Sequence, residues 1–592
     1  MSYHMMAESR TLPELFMFFG KILGPEKKFY VTAIVYGIGI SLLSLATPVS
    51  VQMLVNSIVN TGLTKPLVVL SVTLFVLLLA AGALNAMRIH IVDVFGRRFY
   101  SRMLSEIALR STYALNPFFD DNSKGPLFNR YFDIMIVMKR VPYLLVGGFS
   151  ILLQAFFGLL LVAMYHPFFL IFNAVIITLL WLTWKVWGKR AIRSALELSH
   201  RKHAAAAWVE GLASSNGFFK TRQHIVTALD RTDAVTAEYM EKHEQHFRHH
   251  FAQTICFLFI WAAGSAALLG LGGWLVIRGE LSIGQLVAAE LVLSVVFYGI
   301  SQLGTYLTYF YDLCAAIEEL SLFYDIEQED VEGETDLLRD DSSLQFVEAR
   351  GDSVGIEAIL NFSVPAGSRV LAFPEHHAIQ RICTNFLKRH EMPSGGAILL
   401  GGIDILWVKA HTLRQQIIVL DRPNAIEMTI LEYLRMSSDD ASADQIIEAL
   451  QAVELDATLM QLDKGLHTPL AATGWPLSIS EMMQLKLAAS IIAQPKVLIL
   501  NQIYDVMPER ALQRSMDLLQ RKAGTTVLYF SNRWTDLGYS HHLFMGGQEQ
   551  FQCDGIDELR EVYLSRTRRV VPHIVWDAPD ERPAAAGGAG DA

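Results

Sequence analysis

The strongest constraint in this sequence is a set of six long apolar stretches, all of which lie in its first half. Each is long enough to cross a lipid bilayer as an α-helix. No stretch of this kind follows Ser321. We therefore predict a six-span membrane part followed by a soluble part. The predicted spans fall at roughly 29–54, 67–91, 143–165, 167–188, 251–277 and 283–312.

The composition agrees with a membrane protein that carries a soluble domain. Of the 592 residues, 52% are hydrophobic and only 18% are charged, and the mean hydropathy is +0.31. These values exceed what soluble globular domains need. The four cysteines lie far apart and lack metal-type spacing, so neither a disulfide framework nor a zinc cluster is indicated. His243, His246 and His250 share a helix face, but this segment suits a solvated or headgroup-level position, and we expect no metal site.

Basic residues predict the orientation of the spans, because cytoplasmic loops are enriched in lysine and arginine. The second and fourth connections are basic, whereas the odd-numbered connections are short and nearly uncharged. The second and fourth connections should therefore face the cytoplasm, together with the N-terminus and the C-terminal domain. Their basic residues are Arg97, Arg98, Arg102, Lys139, Arg140, Lys185, Lys189, Arg190, Arg193 and Lys202.

An acidic segment, 325–341, follows the last span and marks a domain boundary. The final residues are rich in alanine and glycine, which gives them too little apolar surface to fold. We predict five segments in chain order. They are an N-terminal cytoplasmic or interfacial helix (1–28), a transmembrane domain with long cytoplasmic helical extensions (29–320), an acidic linker (321–343), a second domain (344–570) and a disordered tail (571–592).

Four short segments resemble those of ABC exporter half-transporters and occur in the same order. Leu115 to Asp120 resembles the first coupling region of that family, and Val209 to Leu212 resembles the second. Gly279 to Ala288 resembles the connection between spans five and six, and Ala315 to Leu320 fits the exit helix. Within that family, the segments most resemble those of bacterial peptide, toxin or type I secretion exporters. The resemblance implies an α-helical six-span exporter domain and a C-terminal α/β domain of the ABC-ATPase, P-loop NTPase type.

The same resemblance carries expectations about cofactors, partners and location. ABC exporters use ATP and Mg²⁺, so these cofactors are expected by family resemblance only. A homodimer or a heterodimer with another half-transporter is implied, in contact with membrane lipid and an unknown substrate, and without nucleic acid. The implied location is the bacterial inner membrane.

Residues 367–382 occupy the place of the family's phosphate-binding loop. Such a loop needs glycines so that backbone N–H groups can surround the phosphates, a lysine for the β- and γ-oxygens, and a hydroxyl for magnesium. The glycine positions, the lysine position and the first hydroxyl position are occupied here by Pro374, His377, Ile379, Gln380 and Arg381. The chemistry of the loop is therefore missing.

The other nucleotide-site positions also depart from the family pattern. Asn501 replaces the carboxylate of the magnesium strand, and Gln502 replaces the glutamate that activates water. Asp421 stands at the metal-reaching glutamine, and Asn532 at the switch histidine. The signature segment loses both glycines and gains a carboxylate, reading Leu477, Ser478, Ile479, Ser480 and Glu481. We interpret the second domain as a degenerate nucleotide-binding domain with no catalytic residues and no bound nucleotide.

The sixth span carries polar residues at helical spacing along one stripe. Ionisable groups within a membrane generally face a cavity or a partner, although a packing seam between helices is an equally good explanation. The candidate substrate-pathway residues are Glu290, Ser294, Tyr298, Ser301 and Thr305.

Four functional hypotheses remain open from the sequence. The leading one is a non-hydrolysing subunit that contributes a substrate pathway to a dimeric exporter. The second is a scaffold or regulatory pseudotransporter that moves nothing. The third is ATP-driven export of a peptide, toxin or amphipathic small molecule, and the fourth is transport driven by an ion gradient.

Overall fold

The structure is a computed structural model that describes residues 10–55, 64–115, 125–331, 333–336, 340–422, 425–438 and 440–567. The predicted tail at 571–592 and most of the first coupling segment, 116–120, lie outside the described residues. The chain divides into two compact units, with the boundary between Gln328 and Glu329.

The described part of the first unit is helical apart from short connections. It also contains 3₁₀ turns at Gly24–Glu26, Gly125–Phe132 and Leu322–Asp325 and a π-helical turn at Tyr143–Gly148. Its α-helices are α1 (Leu12–Leu23), α2 (Lys27–Ser44), α3 (Ala46–Met53), α4 (Thr64–Thr112), α5 (Asp133–Pro142), α6 (Phe149–Ala163), α7 (Pro167–Ser214), α8 (Arg222–Ile277) and α9 (Ile283–Ser321).

Six helical stretches among the described residues are long and apolar enough to cross a membrane. Each predicted span overlaps one of them, so the prediction of six apolar membrane helices is confirmed. Three helices run far beyond a span: α4 has 49 residues, α7 has 48 and α8 has 56. At 1.5 Å per residue, α4 is about 74 Å long, more than twice the thickness of a hydrocarbon core.

Local sequence signals define where the last membrane helix begins. Ser282 is the N-cap of α9, and its hydroxyl accepts a hydrogen bond from the backbone N–H of Gln285 at 3.1 Å. The Gln285 side chain in turn accepts from the N–H of Ser282 at 2.9 Å. This reciprocal pair is a capping box, which satisfies two backbone donors that the helix itself leaves unpaired.

Buried ion pairs join helices that lie far apart in the sequence. The fully buried carboxylate of Glu319, on α9, accepts from Arg130 at 2.5 Å. Asp133, on α5, is also buried and contacts His203 at 2.7 Å and Lys202 at 3.1 Å. Because a buried charge is costly unless it is paired, these contacts select one arrangement of α5, α7 and α9.

The second unit is an α/β domain. Short 3₁₀ turns lie at Gly465–His467 and Gln502–Val506. Its strands are β1 (Leu344–Ser353), β2 (Ile356–Val364), β3 (Arg369–Pro374), β4 (Gly395–Leu400), β5 (Ile403–Asp404), β6 (Ile417–Leu420), β7 (Val497–Leu500), β8 (Thr526–Phe530), β9 (His541–Met545) and β10 (Gln550–Cys553). Its helices are α10 (His377–Leu387), α11 (Ala410–Gln416), α12 (Ile430–Arg435), α13 (Ala443–Ala452), α14 (Asp456–Gln461), α15 (Ile479–Ala493), α16 (Glu509–Ala523) and α17 (Ile556–Thr567).

Two sheets organise the described part of this domain. One is an antiparallel sheet in the order β2-β1-β4-β5, and the other has the order β10-β9-β3-β8-β7-β6. In the larger sheet every neighbouring pair from β9 to β6 is parallel, and only β10 is antiparallel to its neighbour. The central strands β7 and β8 are buried along their whole length, as parallel strands covered on both faces should be.

The buried Arg130–Glu319 pair gives a first test of the helical unit. Replacing Arg130 by alanine leaves a buried carboxylate without its guanidinium, which should destabilise the fold by about 3–5 kcal/mol. We expect a clear drop in the thermal unfolding midpoint of the purified protein in detergent.

The matched control is Arg248→Ala, because Arg248 pairs with Glu244 on an exposed part of α8, where the two side chains are 74% and 64% accessible. This change should have little effect. Equal midpoint shifts for the two variants would contradict a stabilising role of the buried pair.

Candidate functional site

Four of the sequence-predicted nucleotide-site positions lie at one edge of the larger sheet. Pro374 ends β3, Asp421 follows β6, Asn501 follows β7, and Asn532 comes two residues after β8. These four strands are neighbouring and parallel, so their carboxyl ends meet at the same edge. Ligands of open α/β sheets bind at this edge, which makes it the candidate site.

The turn from β3 to α10 contains only Glu375 and His376. Nδ1 of His376 accepts a hydrogen bond from the backbone N–H of Ala378 at 3.1 Å, and its carbonyl oxygen accepts from the N–H of Ile379 at 3.0 Å. The histidine thus caps the helix that follows it. Two N–H groups that could otherwise point at a phosphate are used inside the turn.

The predicted lysine and glycine positions do not form an open loop. α10 begins at His377, so His377, Ile379 and Gln380 are helical. Gln380 is only 3% exposed, and its side-chain nitrogen is buried and has no hydrogen-bond partner among the described residues. The amide therefore points into the domain instead of towards the edge. Pro374 is buried at the end of β3 and has no N–H to donate. Arg381, the first hydroxyl position, lies half-buried in the same helix.

Hydrogen bonds to the carboxylate of Asp505 hold the segment after β7 in place. The sequence analysis did not predict this role. Gln502 begins the 3₁₀ turn that directly follows Asn501, and Asp505 lies within that turn. Asp505 accepts hydrogen bonds from the Tyr529 hydroxyl at 2.5 Å, the Ser531 hydroxyl at 2.7 Å and the backbone N–H of Asn532 at 2.9 Å. A carboxylate that accepts three protein hydrogen bonds has little capacity left for a metal ion.

Asp421 also has a protein partner. It forms an ion pair with Lys388, the C-cap residue that follows α10. The next residue, Arg422, uses its carbonyl oxygen to accept a hydrogen bond from the Lys486 ammonium at 2.7 Å, and burial lowers the pKa of Lys486. ABC exporters have a glutamine here, whose side chain is a neutral amide. Neither Asp421 nor Arg422 supplies such a group.

The signature segment forms the start of α15. Ser478 is the N-cap, and Glu481 completes a capping box by accepting from the Ser478 N–H at 2.8 Å. Glu481 also accepts from the Thr458 hydroxyl at 3.0 Å. Burial opposes ionisation of Glu481, but the hydrogen bonds from Ser478 and Thr458 outweigh it and lower the pKa of this carboxyl. The spacing Ser-x-x-Glu is the signal from which this capping role could have been predicted.

The other signature residues have structural contacts as well. Leu477 is buried in the domain core, and Ile479 is 62% exposed. The Ser480 hydroxyl donates to the carbonyl oxygen of Val506 at 3.1 Å, which joins α15 to the turn after β7.

The polar stripe of α9 separates into two environments. Ser294, Tyr298 and Thr305 are exposed, and the Ser301 hydroxyl donates to the carbonyl oxygen of Tyr298 at 2.7 Å. Glu290 is half-buried, and one of its carboxylate oxygens is buried without a hydrogen-bond partner among the residues that the structure describes. The side chains therefore do not form one continuous hydrogen-bonded seam.

His246 and His250, both on α8, have partners on other helices. His246 lies 3.0 Å from the Ser194 hydroxyl, and His250 lies 2.8 Å from the carbonyl oxygen of Gly304. Within the described ranges, no group of three or more histidine, cysteine, aspartate or glutamate residues is arranged to hold a metal ion.

Comparison with known proteins identifies the fold. Residues 30–300 match the family model of the ABC transporter transmembrane region. A solved structure of a bacterial Atm1-family ABC exporter with ATP bound superposes with a TM-score of 0.78 at 17% identity, covering 92% of this chain and 99% of that one. The fold is that of an ABC exporter.

Several curated ABC transporters are similar in sequence. An ATP-dependent lipid A-core flippase of Neisseria gonorrhoeae is 26% identical over 275 residues, which cover 45% of this chain and 44% of the flippase. YknV, an uncharacterized ABC transporter ATP-binding protein of Bacillus subtilis, is 27% identical and matches 46% of each chain. The lactococcin-A transport/processing ATP-binding protein LcnC of Lactococcus lactis is 20% identical over 92% of this chain and 77% of its own length.

These findings show a membrane region similar to that of ABC transporters, the fold of an ABC exporter and a C-terminal α/β domain. The chain spans about half the length of the first curated relatives that it matches. ABC exporters normally use ATP and Mg²⁺, and the structural neighbour was solved with ATP.

Glu481 provides a test of the capping role. Replacing it by alanine should cost about 0.5–2 kcal/mol, because the Ser478 N–H loses its acceptor. Glu481→Gln keeps an acceptor and should cost less. The measurement is the thermal unfolding midpoint of the purified chain.

The pH dependence of the same variants has a definite sign. Because the pKa of Glu481 is lowered on folding, its ionised form stabilises the protein above the unfolded-state pKa of about 4.5 and loses that contribution as the pH falls through the folded-state pKa. The advantage of the wild type over Glu481→Gln should therefore shrink below about pH 4.5. A constant difference across this range would rule out the ionised capping box.

Proposed function

We propose that this chain is an integral membrane subunit of a dimeric exporter that binds no ATP, hydrolyses none, and contributes a substrate pathway. Its second domain would then act as a degenerate nucleotide-binding domain. The substrate and the partner chain stay open.

The observation that carries this proposal is the closed turn between β3 and α10. A phosphate site needs several N–H groups free and converging, together with a cationic side chain. Here the N–H groups of Ala378 and Ile379 are used by His376, and the buried Gln380 replaces the lysine. These residues do not fit the phosphates of ATP, and no step of a reaction is assigned to that nucleotide.

The metal side of the site supports the same proposal. Asn501 and Gln502 are neutral, and the nearby carboxylates of Asp421 and Asp505 already bind protein donors. Mg²⁺ prefers charged oxygen ligands with free lone pairs. These side chains therefore suit Mg²⁺ poorly.

The domain keeps what a structural role requires. Its sheet is covered on both faces by apolar residues, in two clusters that include Leu498 and Leu528 among their fully buried members. A domain that folds without nucleotide can still hold partners and helices in place.

The membrane half supports a pathway role through α9. Tyr298 is 63% exposed on a helix whose opposite face is packed, and Ser294 and Thr305 are exposed near it. Polar side chains that face lipid are costly, so a cavity or a second copy of the chain is the better environment for this face. The half-buried Glu290 favours a cationic or amphipathic substrate.

Placement in a bacterial inner membrane belongs to the same proposal. The basic second and fourth connections favour a cytoplasmic position for the N-terminus and the C-terminal domain. The five segments predicted from the sequence, including the acidic linker at 321–343, remain predictions.

ATP-driven export is the second candidate. It is favoured by the names of the relatives, which include ATP-dependent flippases and ATP-binding transport proteins. The two candidates differ in phosphate release from ATP, which the proposed function excludes and this alternative requires.

A single substitution tests the closed turn. Gln380→Lys restores the lysine position but leaves the His376 cap in place, so we expect no ATP hydrolysis by either the wild type or this variant. Phosphate release should be measured on the purified full-length chain with MgATP, and Gln380→Met serves as the size-matched control. Hydrolysis by Gln380→Lys alone would show that the rest of the loop is competent and would contradict the proposal.

Glu290 tests the pathway. We expect Glu290→Gln to slow the equilibrium exchange of a cationic amphipathic dye, rhodamine 6G, across proteoliposomes severalfold, because the carboxylate would no longer attract the cation. Glu280→Gln, in the exposed connection before α9, is the matched control and should exchange at the wild-type rate. Identical rates for the wild type, Glu290→Gln and empty liposomes would favour a scaffold without transport.

A further inference from the structure

Arg88 is a buried cation within the second predicted span. It lies on α4 and is only 4% exposed. Its guanidinium donates to the Ser150 hydroxyl on α6 and to the side-chain oxygen of Asn85 at 2.8 Å. Both partners are neutral, so the hydrogen bonds orient the group without compensating its charge.

No carboxylate among the described residues lies within salt-bridge distance of Arg88, although many other arginines of the same unit have one. Its Nε–H is buried and has no hydrogen-bond acceptor in the part of the chain that the structure describes. Arginine stays protonated at every physiological pH, so the group cannot escape the cost of burial by losing its proton. An intramembrane charge of this kind generally marks a site for a charged partner.

The position along α4 places Arg88 inside the hydrocarbon region. Arg97 and Arg98, the basic residues that predict the cytoplasmic boundary, come nine and ten residues later, which is about 14 Å along the helix. Helical side chains tilt towards the N-terminus, which in α4 is the direction away from that boundary. The contact with Asn85, three residues earlier, agrees with this tilt.

Helix α2 adds a second polar group beside the cation. A Cβ atom at Gly37 would lie 3.6 Å from Nη1 of Arg88, so the backbone of α2 passes close to the guanidinium. Ser41 is one turn further along the same face and is fully buried, and its hydroxyl has no hydrogen-bond partner within the described ranges. Asn85 is half-buried, which leaves one side of the cluster open at the surface of α4.

We propose that Arg88, Asn85, Ser150 and Ser41 form an anion site for a phosphate group in the cytoplasmic half of the membrane. A phosphate group supplies the negative charge and the acceptor oxygens that the guanidinium and the unpaired hydroxyl lack. The phosphate can come from the headgroup of an anionic phospholipid or from inorganic phosphate. The site requires neither ATP nor transport, and only its assignment to the cytoplasmic half rests on the proposed orientation of the spans.

The test uses the full-length protein in nanodiscs made of phosphatidylcholine. In one arm, phosphatidylglycerol replaces part of the lipid, and in the other, inorganic phosphate is added to the buffer. The thermal unfolding midpoint is followed in both arms, and native mass spectrometry counts the phosphatidylglycerol that the protein retains.

Three variants complete the design. Arg88→Gln removes the cation, Arg88→Lys keeps a charge if the glutamine variant fails to fold, and Arg97→Gln removes an exposed cation from the same helix as the matched control. We expect the apparent affinity for the anion to fall by about tenfold or more in Arg88→Gln, which corresponds to one lost charge-assisted hydrogen bond. Arg88→Lys should bind more weakly than the wild type, because a point charge replaces the planar fork.

The arms distinguish the source of the phosphate. Stabilisation by phosphatidylglycerol that depends on Arg88 identifies a lipid headgroup, and stabilisation by buffer phosphate in phosphatidylcholine identifies a soluble anion. Both results support the site if Arg97→Gln behaves as the wild type does. If neither anion stabilises the wild type more than both Arg88 variants, the guanidinium serves helix packing only and the proposal is wrong.

Discussion

The hydrogen bond from the Ala378 N–H to Nδ1 of His376 closes the turn on which the chemistry of the second domain depends. An uncapped helix start offers its first N–H groups to a ligand, and phosphate sites use this property. Once a side chain satisfies those donors, the same helix start becomes a structural element. The capping box of Ser478 and Glu481 repeats this at α15. At both helix starts that the family turns towards nucleotide, backbone N–H groups are therefore bonded within the chain itself.

The membrane half distributes its charges differently. Outside the predicted spans, buried carboxylates such as Glu319 and Asp133 are paired and connect α5, α7 and α9. Within the spans, Arg88 and Glu290 each keep a buried polar atom without a partner. A stable fold rarely tolerates such atoms without a use for them. The distinguishing property is the ion pair and not the unsatisfied atom, because one oxygen of Glu319 is also buried without a hydrogen-bond partner. Among the described residues, Glu319 and Asp133 have ion-pair partners, whereas Arg88 and Glu290 have none.

Much of the fold could be predicted from the sequence because its signals are long-range and repetitive. Apolar stretches of bilayer length predicted all six membrane helices. The local Ser-x-x-Glu spacing would also have predicted the capping role of Glu481. The contact of Arg88 with Ser150 could not be predicted, because helix packing brings together residues that are 62 positions apart. The stripe of α9 was predicted as one surface, but periodicity alone does not say which of its residues a neighbouring helix covers.

The central claim is that the second domain binds no ATP, and equilibrium binding tests it most directly. A fluorescent ATP analogue should be titrated with Mg²⁺ onto the purified full-length chain in nanodiscs, and unlabelled ATP added as the competitor. The closed β3–α10 turn predicts no competable signal at ATP concentrations of about 1 mM. Saturable binding that unlabelled ATP displaces at or below this concentration would contradict the claim and favour an energised exporter.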